Sequence, residues 1–176
     1  MHIHVIFDYI EANLNETMSQ LDNRFYVLDQ VEKDGWNLSI VDKKFRKDKD
    51  IVFVASKQNY IAFQWADESL KIDKEYVMSL IKAKSAGILE YADRSFRTDE
   101  KFMSEAVKYD HFALYFASQS IKTNIEIAKI AMKHNPFAIE YIDKSIYEDN
   151  EIKTEVCKTW PRNIHPYPYR ELYITN

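Results

Sequence analysis

The chain has 176 residues and a formal net charge of −4, so it is long enough for one domain with a sizeable hydrophobic core. Its 46% hydrophobic content argues against disorder, and its single cysteine excludes internal disulfides and cysteine-cluster zinc sites. Two glycines leave no room for glycine-rich phosphate loops, and no apolar run approaches the roughly 18 residues of a membrane span. The lone cysteine and an N-terminus without a signal-peptide pattern predict a cytoplasmic protein.

The first segment, residues 1–19, is apolar between Ile3 and Ile10 and polar afterwards, with acidic side chains but no Lys or Arg. This pattern predicts an N-terminal capping helix. The alternation of His2, Ile3, His4 and Val5 leaves a short strand as the alternative.

A block of about 25 residues then recurs five times, followed by a degenerate sixth copy. We call the copies repeats one to six; they occupy residues 20–44, 45–69, 70–95, 96–120, 121–145 and, for the partial sixth, 146–160. Repeat two is the clearest and reads FRKDKDIVFVASKQNYIAFQWADES. Fixed-period similarity predicts a single helical-repeat domain over 1–176, in which each copy buries its apolar face against its neighbours.

Positions within a repeat are counted from its leading hydrophobic residue. Position 4 is always Asp or Asn, which cap helix N-termini, and an apolar helical stripe follows at positions 7, 8, 11 and 12. A second Asp or Asn at position 15 of four copies precedes another apolar stripe at positions 18, 19, 21 and 22. Each repeat therefore predicts a hairpin of two short helices, and the fold class is all-α, an α-solenoid of helical hairpins.

The chain ends differently from its repeats, because residues 161–176 contain three prolines and several aromatic residues. Proline prevents a regular helix there. We expect an extended C-terminal segment that packs back onto the array.

The recurring pattern is a capping Asp, an apolar stretch, Lys, then Asn, Ala, an aromatic residue, Ala and Ser. Segments such as DKDIVFVASKQNYIAFQWADES and DEKFMSEAVKYDHFALYFASQS resemble the repeats of domain of unknown function 4116 over about Asn23 to Lys158. The resemblance implies the helical-hairpin fold and no established activity, cofactor or catalytic residue. Family repeats often place Gly after the Asn; this chain keeps it at Gly35 and has Tyr60, His111 or Pro136 in other copies.

Two basic columns recur at fixed positions. Position 13 is Lys57, Lys82, Lys108, Lys133 and Lys158, and position 2 is Arg46, Lys71, Arg97 and Lys122. One interpretation is a ladder that binds phosphates or an acidic partner. The other, which we favour, is structural: a lysine stabilised at a helix C-terminus for position 13, and pairing with the acids at position 23 for position 2.

Aromatic residues recur at position 21, namely Trp65, Tyr91, Phe116 and Tyr141. They could stack nucleic-acid bases, but their place on an apolar stripe favours the core. Tyr60, Tyr109 and Tyr115 lie outside that stripe and are predicted to be exposed contact points, because tyrosine is enriched at protein interfaces.

No pattern in the chain indicates catalysis. The histidines are scattered, and Cys157 falls in the buried column of the last helix, so we expect no metal, no cofactor and no enzymatic activity. We expect a non-catalytic repeat protein that binds another protein through its extended surface, as a regulator or inhibitor. The alternatives are nucleic-acid backbone binding along the lysines, which the charge-neutral repeat body disfavours, and, more remotely, a hydrolase with an unfamiliar site.

Overall fold

The computed structural model describes residues 23–83 and 85–159, except for the side chains of residues 156, 157 and 159. The predicted N-terminal cap over 1–19, the extended segment over 161–176 and the burial of Cys157 therefore fall outside the described residues. Within them there are helices and turns and no strand, which confirms the all-α class. The chain divides into two compact units, Met1–Tyr76 and Val77–Asn176.

Six longer α-helices are the first helices of repeats one to six in the described part of the chain. Their bounds are α1 Arg24–Lys33, α2 Lys49–Gln58, α3 Lys74–Lys82, α4 Glu100–Tyr109, α5 Ile125–His134 and α6 Asn150–Thr159. Neighbouring first helices pack against each other: α1 against α2 in the first unit, and α4 against α5 and α5 against α6 in the second.

Each first helix begins directly after the Asp or Asn of position 4. The side-chain oxygen of that residue accepts a hydrogen bond from a backbone N–H of the first helical turn, as Asp99 does from Phe102 at 2.9 Å. The same cap is made by Asn23, Asp48, Asp73, Asn124 and Asp149. The predicted N-caps are confirmed, and they fix where every repeat starts its first helix.

The predicted apolar stripe of the first helices is also confirmed. Positions 7, 8, 11 and 12 are buried in repeats two, four and five: Ile51, Val52, Ala55, Ser56, Phe102, Met103, Ala106, Val107, Ile127, Ala128, Ala131 and Met132. The small residue at position 11 lets the partner helix approach closely.

The second helices are shorter than the sequence predicts, and most are 3₁₀ helices. They run Gly35–Ser39, Tyr60–Trp65, Ala86–Glu90, Ala113–Phe116 and Pro136–Glu140, of which only Ala113–Phe116 is α-helical. Asp34, Asn59 and Asn135 at position 15 cap them as predicted; Asn135, for example, accepts from the Phe137 N–H at 3.0 Å. In repeat four, Asp110 accepts instead from the N–H of Phe112, the residue just before Ala113–Phe116.

A third short helical turn, which the repeat pattern did not reveal, joins one copy to the next. These turns are Phe45–Lys47, Glu68–Lys71, Arg94–Arg97, Gln119–Lys122 and Lys144–Ile146. Four of them bury the leading hydrophobic residue of the next repeat, namely Phe45, Leu70, Phe96 and Ile121. The repeat boundary is therefore a packed helical turn rather than a loop.

The prediction that position 21 belongs to the core is wrong. Trp65, Tyr91, Phe116 and Tyr141 are all half-buried. The core-facing side chains come from positions 19 and 22 instead. In repeat five these are Ile139 and Ile142, both buried, and the large ring at position 21 lies beside that row at the surface.

Gly35 sits where two repeats of the first unit approach most closely. A Cβ atom on it would lie 2.5 Å from the carbonyl oxygen of Ala55 and 2.8 Å from Gln58 Oε1. The Gly35 N–H donates to that same Oε1 at 2.8 Å. A side chain at position 16 of repeat one is therefore excluded by the end of α2.

We predict that Gly35→Ala destabilises the protein by about 1–3 kcal/mol, because the backbone of α2 must move to admit the methyl group. The measurement is urea unfolding followed by circular dichroism. Tyr60→Ala changes the same position of repeat two, where the side chain is exposed, and is the matched control with an effect within about 0.5 kcal/mol. Equal stability of the Gly35→Ala and wild-type proteins would contradict the close approach.

Asp99→Ala is predicted to cost about 1 kcal/mol through loss of the α4 cap, whereas Asp99→Asn keeps an oxygen acceptor and costs much less. The free energies of unfolding of the two variants, measured side by side, check this. An equal loss in both variants would show that the charge of Asp99, and not its cap, stabilises the protein.

Candidate binding surfaces

The lysines of position 13 lie in the last turns of α2 to α6, and their side chains are exposed. Three of them have partners nearby. Lys82 Nζ lies 5.1 Å from the centre of the Tyr109 ring, Lys108 pairs with Glu105 at 2.8 Å, and Lys158 pairs with Glu155 at 3.6 Å. All five positions suit a cation beside the C-terminal end of a helix dipole.

Tyr109 is half-buried rather than fully exposed, and it lies with Lys82, Glu105 and Lys108 at the C-terminal end of α4. The Lys108 ammonium, through its hydrogen bond, lowers the pKa of Glu105, with smaller contributions from Tyr109 and Lys82. These four side chains interact with one another, so the two lysines are less available to bind an external phosphate.

The basic column at position 2 does something different from the predicted pairing with acids. Its side chains donate to backbone carbonyls at the end of the preceding second helix. Arg97 donates to the carbonyls of Leu89 at 2.8 Å and Glu90 at 2.6 Å. The equivalent bonds are Arg46 to Ser39 and Val41, Lys71 to Gln64, and Lys122 to Tyr115. A short helix leaves its last carbonyls without intrahelical donors, and position 2 supplies them.

The acids at position 23 are caps of the third helical turn. Asp67, Asp93 and Asp143 accept from the N–H groups of Ser69, Ser95 and Ser145. For Asp143 the bonds from Ser145 and Gln119 lower the pKa to about 2. The pKa values of Asp67 and Asp93 are also lowered, first by the serine two residues ahead.

Because the folded protein lowers these pKa values, the carboxylates contribute stability above the ordinary Asp pKa, and this is lost as the pH falls from about 4 towards 2. We predict that Asp143→Asn, which can still cap but cannot titrate, loses less stability than the wild type between pH 5 and pH 2. Thermal unfolding midpoints across that range provide the measurement. Parallel pH curves for the two proteins would contradict the assignment.

A cluster of rings on the second helices of repeats four and five forms what we call the aromatic surface, made of Phe112, Tyr115, Phe116 and Tyr141. Phe112 lies 5.3 Å from Tyr115, 5.2 Å from Phe116 and 5.6 Å from Tyr141, centre to centre. The Tyr115 side chain is 57% exposed and the neighbouring Phe137 is 53% exposed. The rings are thus held in place by one another while one side of the cluster faces solvent.

Charged side chains of both signs lie next to the aromatic surface. Lys122 Nζ lies 5.9 Å from the Tyr115 ring centre and donates to the Tyr115 carbonyl. Burial raises the pKa of Tyr141, and the carboxylates of Glu140 and Asp110 raise it further. Tyr141 therefore stays a neutral phenol with a polar tip at neutral pH.

The first unit carries a smaller counterpart at the same repeat positions. The rings of Trp36 and Trp65 are 4.8 Å apart, and Trp36 is 46% exposed. Tyr60 at 36% and Ile40 at 68% are also exposed. Exposed or half-buried apolar groups at positions 17 and 21 are thus common to both units.

Sequence reasoning identified Tyr60 and Tyr115 as exposed but missed Trp36, Phe112 and Phe137. These three share position 17, one residue before the second stripe. A large apolar residue recurs at position 17, although the buried stripe uses positions 18, 19, 21 and 22. This recurrence is the sequence feature that could have identified them.

Two shallow grooves also open between first helices. One of about 380 Å³ lies between α4 and α5, and one of about 350 Å³ is lined by α1 and α2. Both have mixed charged and apolar walls. Among residues 23–83 and 85–159, no three His, Cys, Asp or Glu side chains are grouped so as to hold a metal ion. None of the helices in the same ranges combines the length and apolarity needed to cross a membrane.

The family comparison gives one result. The model named Domain of unknown function (DUF4116) matches residues 23–71, 73–122 and 99–147. The chain belongs to this family. Each DUF4116 match spans about two copies of the repeat and begins at a position-4 cap (Asn23, Asp73 or Asp99). No curated protein and no solved structure matches the chain significantly.

Proposed function

We propose that this DUF4116 protein is a non-catalytic helical-repeat protein that binds another protein through the aromatic residues of its second helices. Its role would be that of a regulator or inhibitor of a larger assembly. The observation that supports this best is the exposure of Tyr115 in the aromatic surface and of Phe137 on the second helix of repeat five. Both side chains are more than half exposed although their helices pack into the fold.

The physical argument concerns preorganisation. An exposed aromatic ring that is already held by its neighbours loses little conformational freedom on binding, and it offers large area with a polar tip. Tyr and Trp are the residues in which binding energy is most often concentrated. Tyr115, Tyr141 and Trp36 are exposed or half-buried rings with a polar tip, and each has another aromatic ring within 6.1 Å.

We also infer an α-solenoid that works in the cytoplasm. In both units a backbone N–H of one second helix donates to a side chain of the next repeat: Gly35 to Gln58 at 2.8 Å in the first, Ala86 to Asp110 at 3.1 Å in the second. A contact that recurs with the repeat supports continuous stacking. The single cysteine supports a reducing compartment.

Nucleic-acid binding along the lysine column is the alternative. It rests on Lys57, Lys82, Lys108, Lys133 and Lys158, all of them exposed. The local partners of Lys82, Lys108 and Lys158 weaken it, since phosphate binding would have to displace them. An affinity that falls steeply with salt would favour this alternative.

The test is affinity capture from a lysate of the native organism, with and without nuclease, read by mass spectrometry. We predict a stoichiometric protein partner that survives nuclease and that binds the double variant Tyr115→Ala, Phe137→Ala at least about 30-fold more weakly, as expected for hot-spot residues.

Two controls make the result interpretable. Phe25→Ala removes a ring that is 78% exposed on α1, outside the aromatic surface, and should leave binding unchanged. Lys108→Glu with Lys133→Glu tests the alternative. Loss of binding in the lysine variant, together with unchanged binding in the aromatic variant, would overturn the proposal.

A further inference from the structure

The turns of repeats four and five are joined by a histidine. His111 follows the Asp110 cap, and its Nδ1 lies 3.1 Å from Nδ2 of Asn135, the equivalent cap of repeat five. Asn135 also accepts at Oδ1 from the Phe137 N–H at 3.0 Å, which caps the second helix of its own repeat. Both bonds lie within the second unit.

The cap decides the protonation state of the histidine in this contact. A backbone N–H can only donate, so the Asn135 atom that caps Phe137 must be the oxygen. The atom that faces His111 is therefore the amide nitrogen, which can only donate. Nδ1 of His111 must accept, and the ring in this contact is neutral with its hydrogen on Nε2.

Protonation of His111 would place two donors against each other across this 3.1 Å contact. The charged ring has another partner close by, since Asp110 Oδ1 lies 4.0 Å from the same Nδ1. The Asp110 carboxylate already accepts from the N–H groups of Ala86 and Phe112, which hold it in place.

We propose that His111 is a proton-sensitive latch between repeats four and five. The neutral ring binds Asn135 of the next repeat, and the protonated ring releases Asn135 and pairs with Asp110 of its own repeat. The proposal does not depend on the proposed binding function, although the His111 ring lies 5.8 Å from that of Tyr141 in the aromatic surface.

Other charged or titratable groups on the adjoining elements do not replace this contact. Tyr141 stays a neutral phenol, and Glu140 beside it is exposed. Lys108, at the end of α4, pairs with Glu105, and Lys133 and His134 at the end of α5 are exposed. The Asp110 carboxylate is the charged group that lies close to Nδ1 of His111.

The two comparable contacts within the described units use no titratable donor. Gly35 donates to Gln58, and Ala86 donates to Asp110, in each case from a backbone N–H. Repeats four and five reverse the direction of the bond, since a side chain of the later copy donates to a ring nitrogen of the earlier one. That reversal places a protonatable acceptor, the His111 ring, at this junction.

The test replaces the Asn135 amide group, which donates to His111, by a carboxylate, which can only accept. Asn135→Asp keeps a capping oxygen but presents a carboxylate to His111, which now favours the protonated ring. Between pH 8 and pH 5.5 we expect its unfolding midpoint, relative to the wild type, to rise on acidification by about 2–4 °C. Asn59→Asp changes the equivalent cap of repeat two, which faces Gly35 instead of a histidine, and should show no such rise.

The rise should also disappear when Asn135→Asp is combined with His111→Gln. In the wild type, long-range nitrogen NMR should show the Nε2–H tautomer of His111 at pH 8, and the Asn135 side-chain amide signals should shift as the ring titrates. An Nδ1–H tautomer, or a pH response of Asn135→Asp equal to that of Asn59→Asp, would overturn the proposal.

Discussion

The fold depends on how each repeat closes. In repeats two, four and five the residue at position 2 takes part in two bonds at once: its side chain donates to the end of the preceding second helix, and its carbonyl accepts from the N–H of position 23, about 21 residues further on. This backbone bond measures 2.9 Å from Asp67 to Arg46, 2.9 Å from Ser118 to Arg97 and 3.0 Å from Asp143 to Lys122. Helices as short as these are marginal alone, so a bond that ties the end of a copy to its own beginning stabilises the repeats in which it forms.

The surfaces follow from this closure. Because the second helices are only four to six residues long, their core-facing row holds few residues, and the larger rings at positions 17 and 21 lie along their flank. Caps at one end and position 2 at the other hold these helices rigid. The result is a set of aromatic groups that are partly exposed yet fixed, which is the property on which the proposed protein binding rests.

Much of the fold could be predicted from the sequence because it depends on local chemistry. Asp or Asn before an apolar helical stripe identifies a cap wherever it occurs, and positions 4, 7, 8, 11 and 12 behaved as expected. The third helical turn, the role of Arg97 and its equivalents, and the surface location of Trp65 and Tyr141 could not be predicted. They depend on where a short helix ends and which carbonyls it leaves open, and a hydrophobic pattern carries no information about either.

The same distinction explains the candidate sites. Tyr60 and Tyr115 could be recognised as exposed because they lie outside the stripe, whereas the ring cluster around Phe112 required knowledge of which repeats touch. The lysines of position 13 were recognisable at once, but only the structure places Lys82 over Tyr109 and Lys108 beside Glu105. A residue type that recurs at one repeat position therefore indicates that this position has the same role in each copy. The contacts in the structure are needed to decide whether that role is structural or functional.

The most direct measurement is amide hydrogen exchange at position 23, followed by NMR. If position 2 closes repeats two, four and five, the amides of Asp67, Ser118 and Asp143 exchange only when the protein unfolds, and much more slowly than the next amides along the chain, Glu68, Gln119 and Lys144. Fast exchange at all three position-23 amides under native conditions would contradict the closure on which this account of the fold depends.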